Sequence, residues 1–280
     1  MKIGFWDVQI DIEKAFLECG HKVVALDFHK SDWQNDFVKA DCDAYVWYPH
    51  ALHKEYYKLL DRAGFIEFFL SKRAFPNVRT SYLFQDKMRQ EYVFDLLRIP
   101  QPKTIILTSQ AEINKFLKLK IKFPLIVKDM WNYGGYGIFV LKNKKELEKY
   151  IAKKRIPKNK ENVIQKHYLY LQEYIDLREE YRVMTVGQKI ILVYRKKADK
   201  FLGHVWRGAK VDFEVKKDVL DFVRKYNKIL KLDCCGWDLA RNKQGKLKII
   251  ELNPIAGTKI LEEQGISLAE HIAEYVEKVL

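Results

Sequence analysis

Cysteine is scarce in this chain: Cys19, Cys42, Cys234 and Cys235 are the four in 280 residues, and no two stand in a C-x-x-C pair. Adjacent Cys234 and Cys235 are badly placed to bridge each other, so the pattern reads as reduced thiols in a cytoplasmic protein, not a disulfide framework. Long apolar runs are missing as well. None approaches the ~20 residues that a membrane-spanning helix needs, and the opening Met1 to Asp7 reads as a first strand without a signal-peptide core. No membrane association is expected. The first strand-to-helix turn, Asp7-Val8-Gln9, has no glycine fingerprint, which argues against a dinucleotide site there. No G-x-x-x-x-G-K-[ST] run occurs, which excludes a Walker loop. His50 and His53 have no further His or Cys cluster to complete a closed metal site. Internal repeats, low-complexity tracts and long linkers are also absent.

What is present begins with charge. The formal net charge is +14, which fits a nucleic-acid binder, a binder of anionic substrates or a lysine-rich solvated surface. The lysines are spread along the chain, densest between Lys142 and Lys160, which favours the second and third readings over a nucleic-acid stripe. With 48% hydrophobic residues there is enough apolar surface for two or three subdomains with their own cores.

In order along the chain, strands over 2–6, 22–28 and 44–48 alternate with helices over 10–19 and 54–70, the pattern of a parallel α/β sheet. Pro49, His50 and His53 follow a strand end, where such sheets bind ligands. A helical segment over 81–97 contains Asp86-Lys87 and is halted by Pro100 and Pro102. A strand at 104–107, a helix at 110–119 and a strand ending in Lys128 follow. Next come Asn132-Tyr133-Gly134-Gly135-Tyr136-Gly137 and a strand at 138–141. Such a glycine-rich loop either aims backbone N–H groups at phosphates or simply turns a hairpin; the lysine just upstream favours phosphate. After a helix at 146–153 and a basic connector, the strand from Leu169 passes into a turn at Asp176. A second hairpin around Gly187 then carries Arg182 and Arg195. Either arginine could receive phosphate or a carboxylate, or sit on the surface. A helix from Leu268 to Leu280 follows the last hairpin.

That last hairpin runs from Gly236 to Thr258 around the turn Asn242-Lys243-Gln244-Gly245. With the turn centred between Lys243 and Gln244, Asp238 stands opposite Ile249 and Gly236 opposite Glu251. Alternation then puts Asp238, Glu251 and Asn253 on one face. Two carboxylates and an amide oxygen suit Mg²⁺, with Mn²⁺ as an alternative, shared with nucleotide phosphates.

The order of these parts resembles the ATP-grasp superfamily. Within it, the chain resembles the RimK-like carboxylate–amine ligases, the group of the ribosomal-protein glutamate ligase and the amino-group-carrier lysine-biosynthesis ligase. The resemblance runs from about Asp86 onward. It implies an α/β ATP-grasp fold with an N-terminal Rossmann-like pre-ATP-grasp domain: residues 1–84, a central lid subdomain at 85–173, and a C-terminal subdomain with the metal site at 174–280. It also implies that Lys87 and Lys128 contact ATP phosphates under a lid containing Gly134, Gly135 and Gly137. Glu173, Tyr174 and Ile175 would receive adenine. Arg182 and Arg195 would act on an acyl phosphate, and Asp238, Glu251 and Asn253 would bind the metal.

The implied reaction joins a carboxylate to an amine at the expense of ATP. The expected partners are an acidic amino acid, acidic peptide or carrier protein, with self-association left open. His204 to Ala209 and Asn253 to Thr258 depart from the family pattern near the acceptor, so the acceptor's identity stays open. A small-molecule kinase is the nearest rival, since it shares the first phosphoryl transfer; a nucleic-acid binder would explain the charge but not the motifs.

Overall fold

The computed structural model describes residues 1–8, 10–48, 56–84, 86–128, 137–153, 169–197, 210–254 and 258–280. Three sheets follow one another along the chain. The first comprises β1 (Lys2–Val8), β2 (Lys22–Ala25), β3 (Ala44–Tyr48) and β4 (Arg73–Phe75), all parallel in the order β2-β1-β3-β4. Its connecting helices are α1 (Ile10–Glu18), α2 (Trp33–Ala40) and α3 (Tyr56–Phe68). Every residue of β3 is buried, as expected of a parallel strand covered on both faces. Its Trp47 stacks on Trp6 of β1 with ring centroids 6.1 Å apart, and Phe37 of α2 meets Trp6 edge-on.

Next come α4 (Val78–Tyr82) and α5 (Lys87–Leu96), where a single helix over 81–97 is expected from the sequence. The break is chemical. Asp86 adopts extended backbone and caps α5, its Oδ1 accepting from the N–H groups of Met88 and Arg89 at 3.0 and 3.1 Å. A short polar residue that can satisfy two orphan amides starts a new helix more readily than it continues an old one.

The second sheet is antiparallel, in the order β5-β8-β6-β7. It is built from β5 (Thr104–Leu107), β6 (Leu125–Lys128), β7 (Ile138–Leu141) and β8 (Leu169–Glu173). α6 (Gln110–Leu117), opened by a Ser109–Glu112 capping box, and α7 (Lys144–Lys153) share its apolar face with Val127, Leu141, Leu169 and Leu171. Lys128, Tyr170 and Gln172 lie on the other face, since Lys128 pairs with Tyr170 and Ile126 with Gln172.

The third sheet is also antiparallel, ordered β11-β10-β9-β12-β13. Its strands are β9 (Leu177–Val186), β10 (Lys189–Lys197), β11 (Lys210–Asp212), β12 (Cys234–Asn242) and β13 (Leu247–Asn253). α8 (Lys217–Leu230) is not expected from the sequence pattern, yet its Val219, Val223, Tyr226 and Leu230 form one apolar stripe. That stripe packs on Tyr181, Val183, Trp237, Leu239, Ile249 and Leu252. One sheet face is thereby sealed; on the opposite face Met184, Val186, Leu192 and Cys234 join the apolar core of the first sheet, and the polar residues occupy the rest. α9 (Lys259–Glu263) and α10 (Leu268–Val279) follow, and α10 packs against α1.

A buried acid ties the first sheet to the third. Asp233, fully buried just before β12, accepts from Arg73 of β4, from the Tyr275 hydroxyl of α10 at 2.7 Å and from the Asn77 amide at 2.6 Å. Its own N–H donates to Thr80 Oγ1 at 2.9 Å. Asp233→Ala leaves Arg73 and the Asn77 amide without their acceptor and should cost about 3 kcal/mol, as breaking a buried ion pair does. The check is the denaturant midpoint, and an unchanged midpoint contradicts the assignment.

Candidate active site

The polar face of the third sheet collects the chemistry. Asp238 of β12 lies directly across from Glu251 of β13 on one side and from Arg182 of β9 on the other, and Gly236 faces Asn253. Directly opposed residues share a face, so Arg182, Asp238, Glu251 and Asn253 all emerge together. The register differs from the sequence expectation, which opposes Asp238 to Ile249. The turn is a three-residue loop closed by Asn242 and Lys246, with Gly245 at φ +79°. Alone, that shift of one would send Glu251 to the apolar face. Ile250 then enters as a bulge between Glu251 and Ile249, shifting the register once more and returning Glu251 to the side of Asp238.

The carboxylates are held by protein cations. Arg182 Nη1 donates to Asp238 Oδ2 at 2.6 Å, and Lys196 Nζ reaches Asp238 Oδ1 at 2.7 Å. Asn253 Nδ2 also donates to Asp238 Oδ2, at 2.9 Å. Lys87, the first residue of α5, approaches Glu251 Oε1 at 3.0 Å. Burial, the largest single influence, would lower the pKa of Arg182 and of Lys196, but Asp238 together with the other acidic groups around them outweighs it, and both groups are raised. Arg182 also needs a bare backbone beneath it: a Cβ on Gly236 would stand 2.2 Å from Arg182 Nη2.

Lys128 ends β6 on the polar face of the second sheet, only 4% exposed, with its Nζ 5.7 Å from the centre of the Tyr170 ring. Its charged neighbours are Glu251, Lys87, Glu91 and Asp238, so the two sheets face a common centre. Tyr170 donates to Glu91 of α5 at 2.9 Å, and Gln172 donates to Tyr170 Oη at 3.1 Å and to Thr104 Oγ1 at 3.0 Å. At the end of β8 Glu173 pairs with Lys248, which stands across from Ala240 and so on the side of Asp238. Ile175 is buried and Tyr174 exposed.

Arg195 is a correction. A two-residue turn at Gly187 without irregularity would place it on the face of Arg182. Instead Ile191 forms a bulge between Ile190 and Leu192, so Tyr194 stands across from Arg182 and Lys196 across from Glu180. Arg195 therefore turns to the opposite face, where it pairs with Glu179 and Asp212. Lys196 takes the expected place beside Asp238. Its only signal in the sequence is membership of the run Arg195-Lys196-Lys197. Gly137 opens into β7 with φ +74°, whereas Gly134 and Gly135 lie outside the described residues. So do His50, His53, His204 to Ala209, and Ile255 to Gly257.

Burial pushes the Lys128 ammonium from the ordinary 10.5 down to about 8. The native pKa lies below the unfolded one, so the native state loses its proton first and stability rises with pH between about 8 and 10.5. Below that window the buried charge costs about 3 kcal/mol. Lys128→Met should therefore stabilise the ligand-free protein at pH 7 and flatten the rise above pH 8. Urea titrations of both proteins at pH 7 and pH 10 check this. A variant as unstable as wild type at pH 7 contradicts it.

The comparisons with known proteins agree with this fold. A RimK-like ATP-grasp domain model matches residues 84–276. The coenzyme gamma-F420-2:alpha-L-glutamate ligase of Methanocaldococcus jannaschii is 26% identical, over 70% of this chain and 67% of its own. Among solved structures, a RimK-domain ATP-grasp protein of Sphaerobacter thermophilus superposes with TM-score 0.65 at 14% identity, covering 99% of both chains. The D-alanine–D-alanine ligase of Bacillus anthracis complexed with ATP gives 0.65 at 18% identity, covering 99% of this chain and 96% of that one. Among the described residues no helix is long and apolar enough to cross a membrane. The chain belongs to the RimK-like ATP-grasp family, as an ATP-dependent carboxylate–amine ligase.

Proposed function

We propose that the chain joins L-glutamate to a second substrate through an acyl phosphate, on the polar face shared by the second and third sheets. The observation that carries this reading is the ring of cations from four elements around two carboxylates: Lys87, Lys128, Arg182 and Lys196 about Asp238 and Glu251. Glutamate enters because the curated relatives are named alpha-L-glutamate ligases.

Asp238, Glu251 and the Asn253 amide oxygen fit a divalent metal of the hard, oxygen-seeking kind. Two carboxylates on adjacent strands are what Mg²⁺ takes when phosphates supply its other ligands. Among the described residues no group of three or more His, Cys, Asp or Glu side chains gathers, as a closed protein cage would need. Mg²⁺, or Mn²⁺ in its place, would supply charge neutralisation between the nucleotide phosphates. Lys87 and Lys128 are assigned to the phosphates, and by the resemblance so are Gly134, Gly135 and Gly137. Glu173, Tyr174 and Ile175 are assigned to adenine.

A substrate carboxylate oxygen attacks the γ-phosphorus, and ADP leaves. Arg182 and Lys196 then face the acyl phosphate and stabilise its charge in a site screened from water. The amine attacks the acyl carbon, loses a proton, and inorganic phosphate departs. On nucleotide binding Lys87 and Lys196 exchange their carboxylate partners for phosphate oxygens. The acceptor class is an acidic peptide or carrier, drawn by the exposed lysines of the second sheet's helices, among them Lys115, Lys118, Lys144 and Lys149. The proposed subdomain limits are 84/85, between the first and second sheets, and 173/174, after the last strand of the second.

The test is ADP release with glutamate and a panel of acidic peptides, with mass spectrometry of the products. A product lighter by one water than its two substrates supports the ligase. A persistent phosphorylated substrate with no amide overturns it in favour of a kinase. In the same assay Lys196→Ala should lower kcat/KM by about 100-fold or more, the scale of losing one donor to a developing anion. Arg195→Ala should stay within about threefold of wild type, because it lies across the sheet from the chemistry. The reverse order contradicts the assignment of Lys196.

A further inference from the structure

β13 is an edge strand, and an edge leaves backbone groups without a neighbour. Two groups cover this one. Ile249 N–H donates to the Pro100 carbonyl at 2.8 Å. At Leu252 the cover is a side chain: Leu252 N–H donates to Gln90 Oε1 at 2.9 Å, and Gln90 Nε2 donates back to the Leu252 carbonyl at 2.7 Å. The second N–H of that amide donates to the Leu83 carbonyl at 2.8 Å. Gln90 is 2% exposed, and its orientation is fixed by chemistry, because a flipped amide would set its oxygen against two carbonyls.

We propose that Gln90 is a positioning residue for the metal ligands, its amide replacing a neighbouring strand at the one residue between Glu251 and Asn253. The proposal rests on the reading of Asp238, Glu251 and Asn253 as a metal site. Leu252 points into the core, so fixing its backbone fixes the two side chains that flank it and point the other way. The need is local. The bulge at Ile250 interrupts the ladder just before Glu251, and a slip of one residue there would carry Glu251 to the apolar face. α5 supplies the clamp and two further contacts from one helical face: Lys87, three residues earlier, to Glu251, and Glu91, one residue later, to Tyr170. The helix that positions the phosphate lysine thus also positions the carboxylate it pairs with.

The test is Mn²⁺ uptake in the presence of ADP, read as loss of the free-ion signal by electron paramagnetic resonance, for wild type, Gln90→Met and Gln90→Glu. Met keeps the volume and loses all three hydrogen bonds; its apparent Mn²⁺ affinity should fall at least about tenfold. ADP affinity in chelator should stay within about twofold, which a general loss of structure would not allow. Glu retains an acceptor for Leu252 N–H but opposes two carbonyls when ionised. Its Mn²⁺ affinity, relative to wild type at each pH, should fall at pH 8 and partly recover at pH 5.5, where the acid can donate. A Q90M protein that matches wild type in Mn²⁺ affinity overturns the inference alone. Wild type that takes up no Mn²⁺ with ADP overturns the metal reading and the inference with it. Amide exchange in wild type needs no variant: Leu252 N–H should exchange slowly, and exchange at the rate of an open strand edge overturns the clamp.

Discussion

The site depends on strict side-chain alternation, displaced by one residue in two strands. A sheet in perfect register across β9, β10, β12 and β13 would not assemble it. The bulge at Ile191 brings Lys196 to the polar face and removes Arg195 from it, and the bulge at Ile250 brings Glu251 back beside Asp238. Each bulge costs a piece of ladder. Much of the stability comes from the sealed face, where Trp237, Tyr181 and Leu252 pack on α8.

Electrostatics explains why the arrangement can stand before nucleotide arrives. Arg182 and Lys196 share Asp238, and Lys87 meets Glu251, so each site carboxylate has a cation within hydrogen-bond reach. In a low-dielectric cleft unpaired charges would be costly, and the paired set keeps both signs in place. Lys128 departs from this balance: burial, with Lys87 beside it, outweighs the pull of Glu251, Glu91 and Asp238 and lowers its affinity for the proton. Tyr170 and Glu91 tie the neighbouring strand β8 to α5, and Asp233 ties the first sheet to the third, so the chemistry rests on contacts between units as much as within them.

Much of this was legible beforehand. β3, β5 and β7 begin and end where their apolar runs do, and the hairpin from Gly236 to Thr258 showed its acidic face through alternation alone. The right face was reached with the wrong partners, because a turn shift and a bulge added to two. The same kind of bulge, unreadable from composition at Ile191, misplaced Arg195. Asp86 was read as helix interior because a run of helix formers on both sides hides a cap. α8 carries a regular apolar stripe and was visible in principle. Gln90 was not, since a glutamine that completes a sheet edge looks like any polar residue on a helix until the edge is in view.

Anomalous diffraction from crystals grown with Mn²⁺ and ADP measures the shared register directly. A manganese peak between Asp238 and Glu251 is expected, with Lys196 on the same face and Arg195 turned toward Glu179 and Asp212. Manganese bound elsewhere, or β13 running without its bulge so that Glu251 faces the core, would contradict the site described here.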